Sequence, residues 1–230
     1  MTFVQLIDCK TEHLDDMNRL LDNWLDQTQG RRTATHAIVG SDRSDKAHVV
    51  EIVEFPSYEE AMRNSALPET DRIFREMVAL CEEPPTFTDL DIVRDDQLNK
   101  ALCREMFDCV TRGDLDGMER LFAEDYHDHD PINATDTIGA KAIREECAGW
   151  MAAFDFAFTI DRQLADGDEV ATRWTWTGTH TGDFMGMPAT GRTVTMSGCT
   201  TFRIEDGRIK EGWWDWDALG MMRQLSATPG

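Results

Sequence analysis

Three acids and three tryptophans crowd the ten residues Arg208–Asp217. Read as a strand, this segment alternates its side chains between two faces. Ile209, Glu211, Trp213, Asp215 and Asp217 share one face, and Lys210, Gly212, Trp214 and Trp216 share the other. A sheet with one buried face does not put Glu211, Asp215 and Asp217 into a dry core. A polar face flanked by tryptophans instead reads as a pocket wall. Carboxylates gathered in an apolar cavity raise one another's pKa, which brings a general acid or base near neutrality. Asp217 and Asp215 are the candidate bases on this reading. Asp217 has a second reading, because directly before Ala218–Leu219–Gly220 it suits the N-cap of a helix.

The run Tyr126–His127–Asp128–His129–Asp130–Pro131 is the other dense polar stretch. The His129 imidazole can donate to a developing enolate oxygen or relay a proton. Tyr126 and His127 are expected beside it at the pocket. Two histidines two apart, with neighbouring aspartates, also suit a metal. No third ligand follows at a persuasive spacing, so no metal is assigned, and an ordinary solvated loop stays open as an alternative. In Glu169–His180, alternation puts Val170, Thr172, Trp174, Trp176, Gly178 and His180 on one face. Trp174 and Trp176 suit a flat hydrophobic ligand, or simply core packing. His180 ends the strand at a turn or pocket rim. The loop Asp183–Pro188 brings Phe184 and Met187 as candidates for the cavity mouth. His36 and His48 read as packing residues on strands.

The elements that must position these groups fall into two halves. Phe3–Ile7, Thr33–Val39, His48–Phe55 and Phe87–Val93 read as strands, and Glu12–Gln27 and Glu69–Leu80 as helices. A further helical stretch opens at Pro56–Ser57. The order β-α-β-β-α-β is the ferredoxin-like pattern. The polar stretch Asp95–Lys100 is the expected seam, giving domains 1–95 and 96–230. Beyond it come helices at Leu102–Val110, Leu115–Phe122 and Gly139–Phe154, with a loop at Ala123–Asp136. Four long strands follow: Phe156–Gln163, Glu169–His180, Thr193–Ile204 and Arg208–Trp216. Asp217–Leu225 closes as a helix. Three helices then four strands predict a curved antiparallel sheet wrapped on helices, an α+β cone.

The whole chain has 230 residues, 41% of them hydrophobic, which is enough for two cores. Lys and Arg number 23 against 44 Asp and Glu, a net charge of −21. That field repels nucleic acids and anionic lipid surfaces, so neither is an expected partner. No apolar run reaches the length of a membrane span. Six cysteines without a CxxC pattern fit buried thiols in a reducing, cytoplasmic compartment. Phosphate loops, nucleophile elbows, HExxH and nucleotide fingerprints are all missing from the sequence, so no cofactor is assigned.

The run GTHTGDFMGMPATGRTVTMSGCTTFRIEDGRIKEGWWDWDALGMMRQL (Gly178–Leu225) resembles the SnoaL-like polyketide cyclases and ester cyclases. Those belong to the superfamily of cone-shaped domains that includes nuclear transport factor, ketosteroid isomerase and scytalone dehydratase. The resemblance covers roughly Ala101–Leu225, with GTHTG, the proline loop, FRIEDGRI and the terminal QL in family order. It implies an aspartate that takes a proton next to a carbonyl and so sets off an intramolecular aldol closure. The E-x-W-x-x-x-D spacing maps that residue onto Asp217. The family's histidine before an Asn- or Asp-Pro pair maps onto His129. A second histidine on the strand entering the FRIEDG turn is replaced here by Thr200, Thr201, Phe202 and Arg203. The first half resembles, in element order, the antibiotic-biosynthesis-monooxygenase type of ferredoxin-like domain, which pairs as a dimeric α+β barrel.

Together these readings give a cofactor-independent acid–base enzyme for a hydrophobic, carbonyl-bearing small molecule, most simply a homodimer. Its pocket would include Trp174, Trp176, Trp213 and Glu211. An isomerase, dehydratase or epoxide hydrolase would use the same cavity. The rival from another class is a non-catalytic binding or dimerisation protein in which Asp217 is only a cap.

Overall fold

Alternating apolar side chains make Phe3–Lys10 (β1) a strand whose partners are set by the same alternation elsewhere. In the computed structural model, which describes residues 2–95 and 97–226, α1 (Leu14–Gln27), β2 (His36–Ser41) and β3 (His48–Phe55) follow. Then come α2 (Tyr58–Ser65), α3 (Pro68–Val78) and β4 (Thr86–Asp91). The strands form an antiparallel sheet in the order β2-β3-β1-β4, with Phe3 opposite Phe55 and Ile7 opposite Glu51. The Ser57 hydroxyl starts α2 by accepting the Glu60 N–H at 3.4 Å. Pro68 opens α3, where its fixed φ is tolerated and its missing N–H costs nothing. Met17 and Trp24 of α1 and Ile73 and Met77 of α3 are buried. Contacts bound this compact unit at Met1–Asp95 and a second one at Asp96–Gly230. Asp96, inside the expected seam, lies outside the described residues.

The second unit starts with α4 (Leu98–Arg112) and α5 (Leu115–Glu119), followed by β5 (Phe122–His129), β6 (Thr137–Ile138) and α6 (Ala140–Ala153). The long strands are β7 (Phe154–Asp166), β8 (Glu169–His180), β9 (Thr193–Glu205) and β10 (Arg208–Trp216), and α7 (Ala218–Ser226) ends the unit. Gly113, left-handed at φ 74°, stops α4, and the Asp114 carboxylate accepts the Gly117 N–H at 2.8 Å to start α5. Asp206 and Gly207 both hold positive φ (51° and 72°), as a tight β9–β10 hairpin requires. The core gathers Phe107 of α4, Ile143 of α6 and the inward faces of the strands, among them Phe154, Trp174, Trp176 and Phe202.

Two expectations are corrected here. Ala123–Asp136, expected as a loop, contains β5, which lies parallel to β10 with Gly212 opposite Asp128 and Trp213 opposite His129. Its acids and histidines conceal a strand because both faces of β5 carry polar groups, and each face has its own partners. The sheet is therefore six-stranded and mixed, in the order β6-β5-β10-β9-β8-β7, rather than four-stranded and antiparallel. The second correction concerns its shape. Neither sheet is strongly curled or closed, so the curved cone is overturned. The end strands β6 and β7 do not pair, and a two-residue β6 offers too few backbone groups to close a ring. What stands is a two-unit α+β architecture with two open sheets.

Candidate active site

Parity sorts β5 and β10 as the sequence alternation requires, and the face that lines the cavity is the one opposite to the acids of β10. Tyr126 and Asp128 of β5, and Asp130 just beyond it, project to the same side as Gly212, Trp214 and Trp216 of β10. Trp214 Nε1–H donates to Asp128 Oδ1 at 2.9 Å, and Trp216 Nε1–H donates to Asp130 Oδ1 at 3.0 Å. The buried Tyr126 hydroxyl also donates to Asp128 Oδ1. Both bonds to Asp128 end on one oxygen, and among the described residues no hydrogen bond reaches Oδ2. Gly212 makes room for the phenol: a Cβ there would lie 2.3 Å from Tyr126 Oη and 2.9 Å from the Phe202 ring.

Asp128 is 1% exposed in an apolar surround. Burial pushes its carboxyl up to about 7, against the lowering effect of the Tyr126 and Trp214 bonds, and the charges of Glu146 and Asp130 push the same way as burial. Asp130 is also raised by burial, opposed by the Ile132 N–H and Trp216 and aided by Glu146. Desolvation first, then the Asp128 charge, lifts the Tyr126 phenol well above its usual range, so it stays a donor. Glu146 of α6 is held by Asn133 Nδ2 at 3.1 Å and Thr137 Oγ1 at 2.7 Å.

Asp128, Asp130 and Glu146 line a cavity whose other walls are almost wholly apolar, including Trp150, Trp174, Trp176, Trp214 and Trp216. Gly198 lies opposite both Trp174 and Trp216 in the ladders, and a Cβ there would meet the Trp174 ring at 2.4 Å. Trp174 Nε1–H is satisfied by Thr200 Oγ1 at 2.8 Å, so it contributes wall and no free donor. The cavity volume is about 70 Å³, a fraction of the roughly 300–1,000 Å³ common in small-molecule sites. A multi-ring ligand therefore needs side chains to move. Trp150 and Glu146 also line a shallow outer depression with Phe184, which places Trp150 between cavity and surface.

The other face of the same strands holds most of the sequence candidates. His129 Nε2 meets Glu211 Oε1 at 3.0 Å and its Nδ1 meets Asp136 Oδ2 at 2.9 Å. Its ring stacks on Trp213 at 5.4 Å between centroids. The Glu211 hydrogen bond first, then the Asp136 charge, raises the His129 pKa. Glu211 is held below the usual carboxylate range by His129 and then by Arg203, whose Nε and guanidinium nitrogen both donate at 3.1 Å. His127 Nε2 reaches the same Asp136 oxygen at 3.0 Å. Ligand atoms of His127, His129 and Asp136 lie within 4.8 Å of one another, close enough to hold a metal ion. Pairing of two imidazoles with one carboxylate accounts for the same arrangement.

None of Asp217, Asp215, His129, His127, Glu211 or Trp213 lines the cavity. Asp215 and Asp217 are exposed. Asp217 Oδ1 accepts the Gly220 N–H at 2.8 Å, the bond of a helix N-cap. His180 is fully buried, stacked on Phe154, with Nδ1 accepting the Thr190 N–H at 3.3 Å. Phe184 and Met187 pack against the core, joined by an isolated bridge. Of the sequence candidates, Trp174 and Trp176 line the cavity and Tyr126 bonds to its principal acid. Sequence reasoning missed Asp128, Asp130, Glu146, Trp150, Trp214 and Trp216. The available signal was the D-x-D of β5 read together with the W-x-W of β10.

The family model described as SnoaL-like polyketide cyclase matches residues 100–225, more than half of the chain. The chain belongs to the SnoaL-like polyketide cyclase family. Similar solved structures include IdmH of Streptomyces antibioticus, a candidate polyketide cyclase, at 30% identity and TM-score 0.51 over 57% of this chain and 100% of that one. AclR of Streptomyces galilaeus, a candidate hydroxylase, matches at 30% identity and TM-score 0.51 over 57% of this chain and 97% of its own. TsrD of Streptomyces laurentii matches at 26% identity and TM-score 0.52, covering 59% and 100%. No curated protein matches the chain significantly. SnoaL-like membership supports a small-molecule-acting enzyme of general lyase or isomerase type. Among the described residues, no helix is long and apolar enough to cross a membrane.

Proposed function

We propose that the second unit is an acid–base catalyst for a hydrophobic, carbonyl-bearing small molecule, with Asp128 in the role the sequence assigned to Asp217. The observation that carries this reading is a buried carboxyl poised about 7 at the wall of an apolar, tryptophan-lined cavity. Ionised Asp128 takes the proton next to the substrate carbonyl through Oδ2, and the electron pair of that C–H bond forms the enolate. In an aldol closure the enolate carbon bonds to a second carbonyl carbon, whose oxygen takes the pair of its C=O bond and then a proton. Asp128, protonated by the first step, returns that proton to the new alkoxide and is left ionised again, with Asp130 beside it on the same face. Aldol cyclisation of a polyketide-like intermediate is the finer form of the proposal. Isomerisation, dehydration or epoxide hydrolysis would draw on the same pair of carboxyls.

The test is solvent deuterium incorporation next to the carbonyl of polycyclic ketones, comparing the wild type with Asp128→Asn and Asp217→Asn. Loss of about 100-fold or more in Asp128→Asn alone supports the proposal. Loss in Asp217→Asn alone returns the role to Asp217. Ketones that bind to all three forms without exchange in any of them would make the unit a non-catalytic binding protein. We also propose a homodimer, supported by Ile38 and Leu90, which are 46% and 38% exposed on the first sheet. Light scattering that reports a monomer at micromolar concentration removes that assembly.

A further inference from the structure

The first unit contains an acid in a place where its own sheet calls for an apolar residue. On β3, Val49, Glu51, Val53 and Phe55 share one face by alternation, and Val49, Val53 and Phe55 are 1%, 6% and 3% exposed. The ladder partners of Glu51 are Ile7 of β1 and Val39 of β2, both apolar. Over this face lies a second cavity of about 300 Å³, walled by Leu21 and Trp24 of α1 and by Ile73 and Phe74 of α3. Among the described residues Glu51 forms no ion pair. Burial pushes its carboxyl up to about 7, the only influence of note on it. Among the described residues no side chain pairs with this half-buried carboxylate, although taking it out of water has a cost.

We infer that this cavity is a ligand site of its own, taking a small organic amine whose cationic nitrogen pairs with Glu51 and whose apolar body lies against Leu21, Trp24 and Phe74. The volume reaches the lower end of ordinary small-molecule sites, so a single ring or a short alkyl chain fits. An uncharged apolar ligand gains nothing from Glu51. An anion is repelled by it and by the net charge of −21, which conversely draws cations toward the protein. Trp24 Nε1–H is already bonded to Thr70 Oγ1 at 3.0 Å, and Gln5 Nε2 to Asp89 Oδ1 at 2.9 Å. Asp71, the other carboxylate on the cavity wall, is paired with Arg75, so among the described residues the Glu51 carboxylate is the strong, unspent acceptor in the cavity. This site is separate from the one built on Asp128 and stands without it.

Titration calorimetry of the full-length chain at about pH 8, where Glu51 is ionised, tests the inference. The probes are 2-phenylethylamine, the matched alcohol 2-phenylethanol, the matched acid 3-phenylpropionate, and butylamine for an aliphatic body. The expected result is at least one amine binding about tenfold or more tighter than the alcohol, with the acid weakest. Glu51→Gln should cut amine affinity by about tenfold and leave the alcohol unchanged. Glu51→Asp, which keeps the charge but retracts it by one methylene, should also weaken the amine and spare the alcohol. The inference is overturned if neither amine binds, if the amine binds no tighter than the alcohol, or if Glu51→Gln keeps the amine preference.

Discussion

Trp214 and Asp128 are joined across the parallel β10–β5 pair by an indole N–H···O bond of 2.9 Å, and Trp216 repeats the same bond to Asp130 two residues on. Each rung binds a carboxyl into a wall of aromatic rings without supplying a cation. A neutral donor compensates burial only in part, which is why the Asp128 carboxyl remains pushed up to about 7. A salt bridge in its place would hold Asp128 ionised and remove it from acid–base work at neutral pH. On the outer face of the same strands, Glu211 has that cationic support from His129 and Arg203, and it is held low.

Asp128 should make the second unit more stable in mild acid than in base. Its folded pKa of about 7 lies above the ordinary 3.8, so the folded state binds the extra proton between these values. The contribution is fully present below pH 3.8 and is lost as pH rises through 7. Asp128→Asn, neutral throughout, should therefore be more stable than wild type at pH 8, by up to a few kcal/mol of unfolding free energy, and lose that advantage only as pH falls to about 3.8. Urea unfolding of both proteins at the two pH values measures the difference.

Asp217→Ala should behave as the loss of a helix cap. The bond to the Gly220 N–H is lost, at a cost of about 1 kcal/mol of stability, with turnover per folded molecule unchanged. Asp217→Asn, which can still cap, should restore most of the stability. A drop in turnover without a drop in stability would instead put Asp217 in the chemistry.

His129 should titrate above a free imidazole, because Glu211 and Asp136 both favour its charged form. Stability from these pairs is present below the unfolded pKa of His and fades as pH rises through the raised folded value. Glu211→Gln should move the His129 resonance back toward the ordinary midpoint in a proton NMR titration. An unchanged midpoint would remove the Glu211 bond as the main cause.

Trp150 stands between the cavity and the outer depression that Phe184 helps to line, in ring contact with both Trp216 and Phe184. Trp150→Ala should open the cavity and strengthen binding of multi-ring ketones relative to single-ring ones, while lowering stability by about 3–5 kcal/mol. Equal binding of both sizes before and after the change would show that Trp150 is not the barrier.

Much of this was legible in the residues, and the errors have a common cause. Period-two alternation located β8, β9 and β10, and it sorted Glu211, Trp213 and Asp215 away from Trp214 and Trp216 correctly. Alternation alone does not say which face borders the cavity, because acids on a strand are satisfied as well by cations as by a polar pocket. Glu211 needs only Arg203, its neighbour across the β9–β10 hairpin, and His129, which lies 82 residues away. Conversely, Asp128 and Asp130 looked like loop residues because the indoles that satisfy them lie 86 residues away. Whether the sheet closes depends on how β6 ends it, and a two-residue strand leaves almost no mark in a sequence.

A carbon-13 titration of the aspartate carboxyls of the 230-residue chain decides whether Asp128 is the carboxyl poised near neutrality. Asp128→Asn identifies the resonance, and Trp214→Phe removes one bond that lowers its pKa while keeping an aromatic wall. The expected midpoint is about 7 in the wild type and higher in Trp214→Phe. A midpoint near the ordinary 3.8, unmoved by Trp214→Phe, would contradict it.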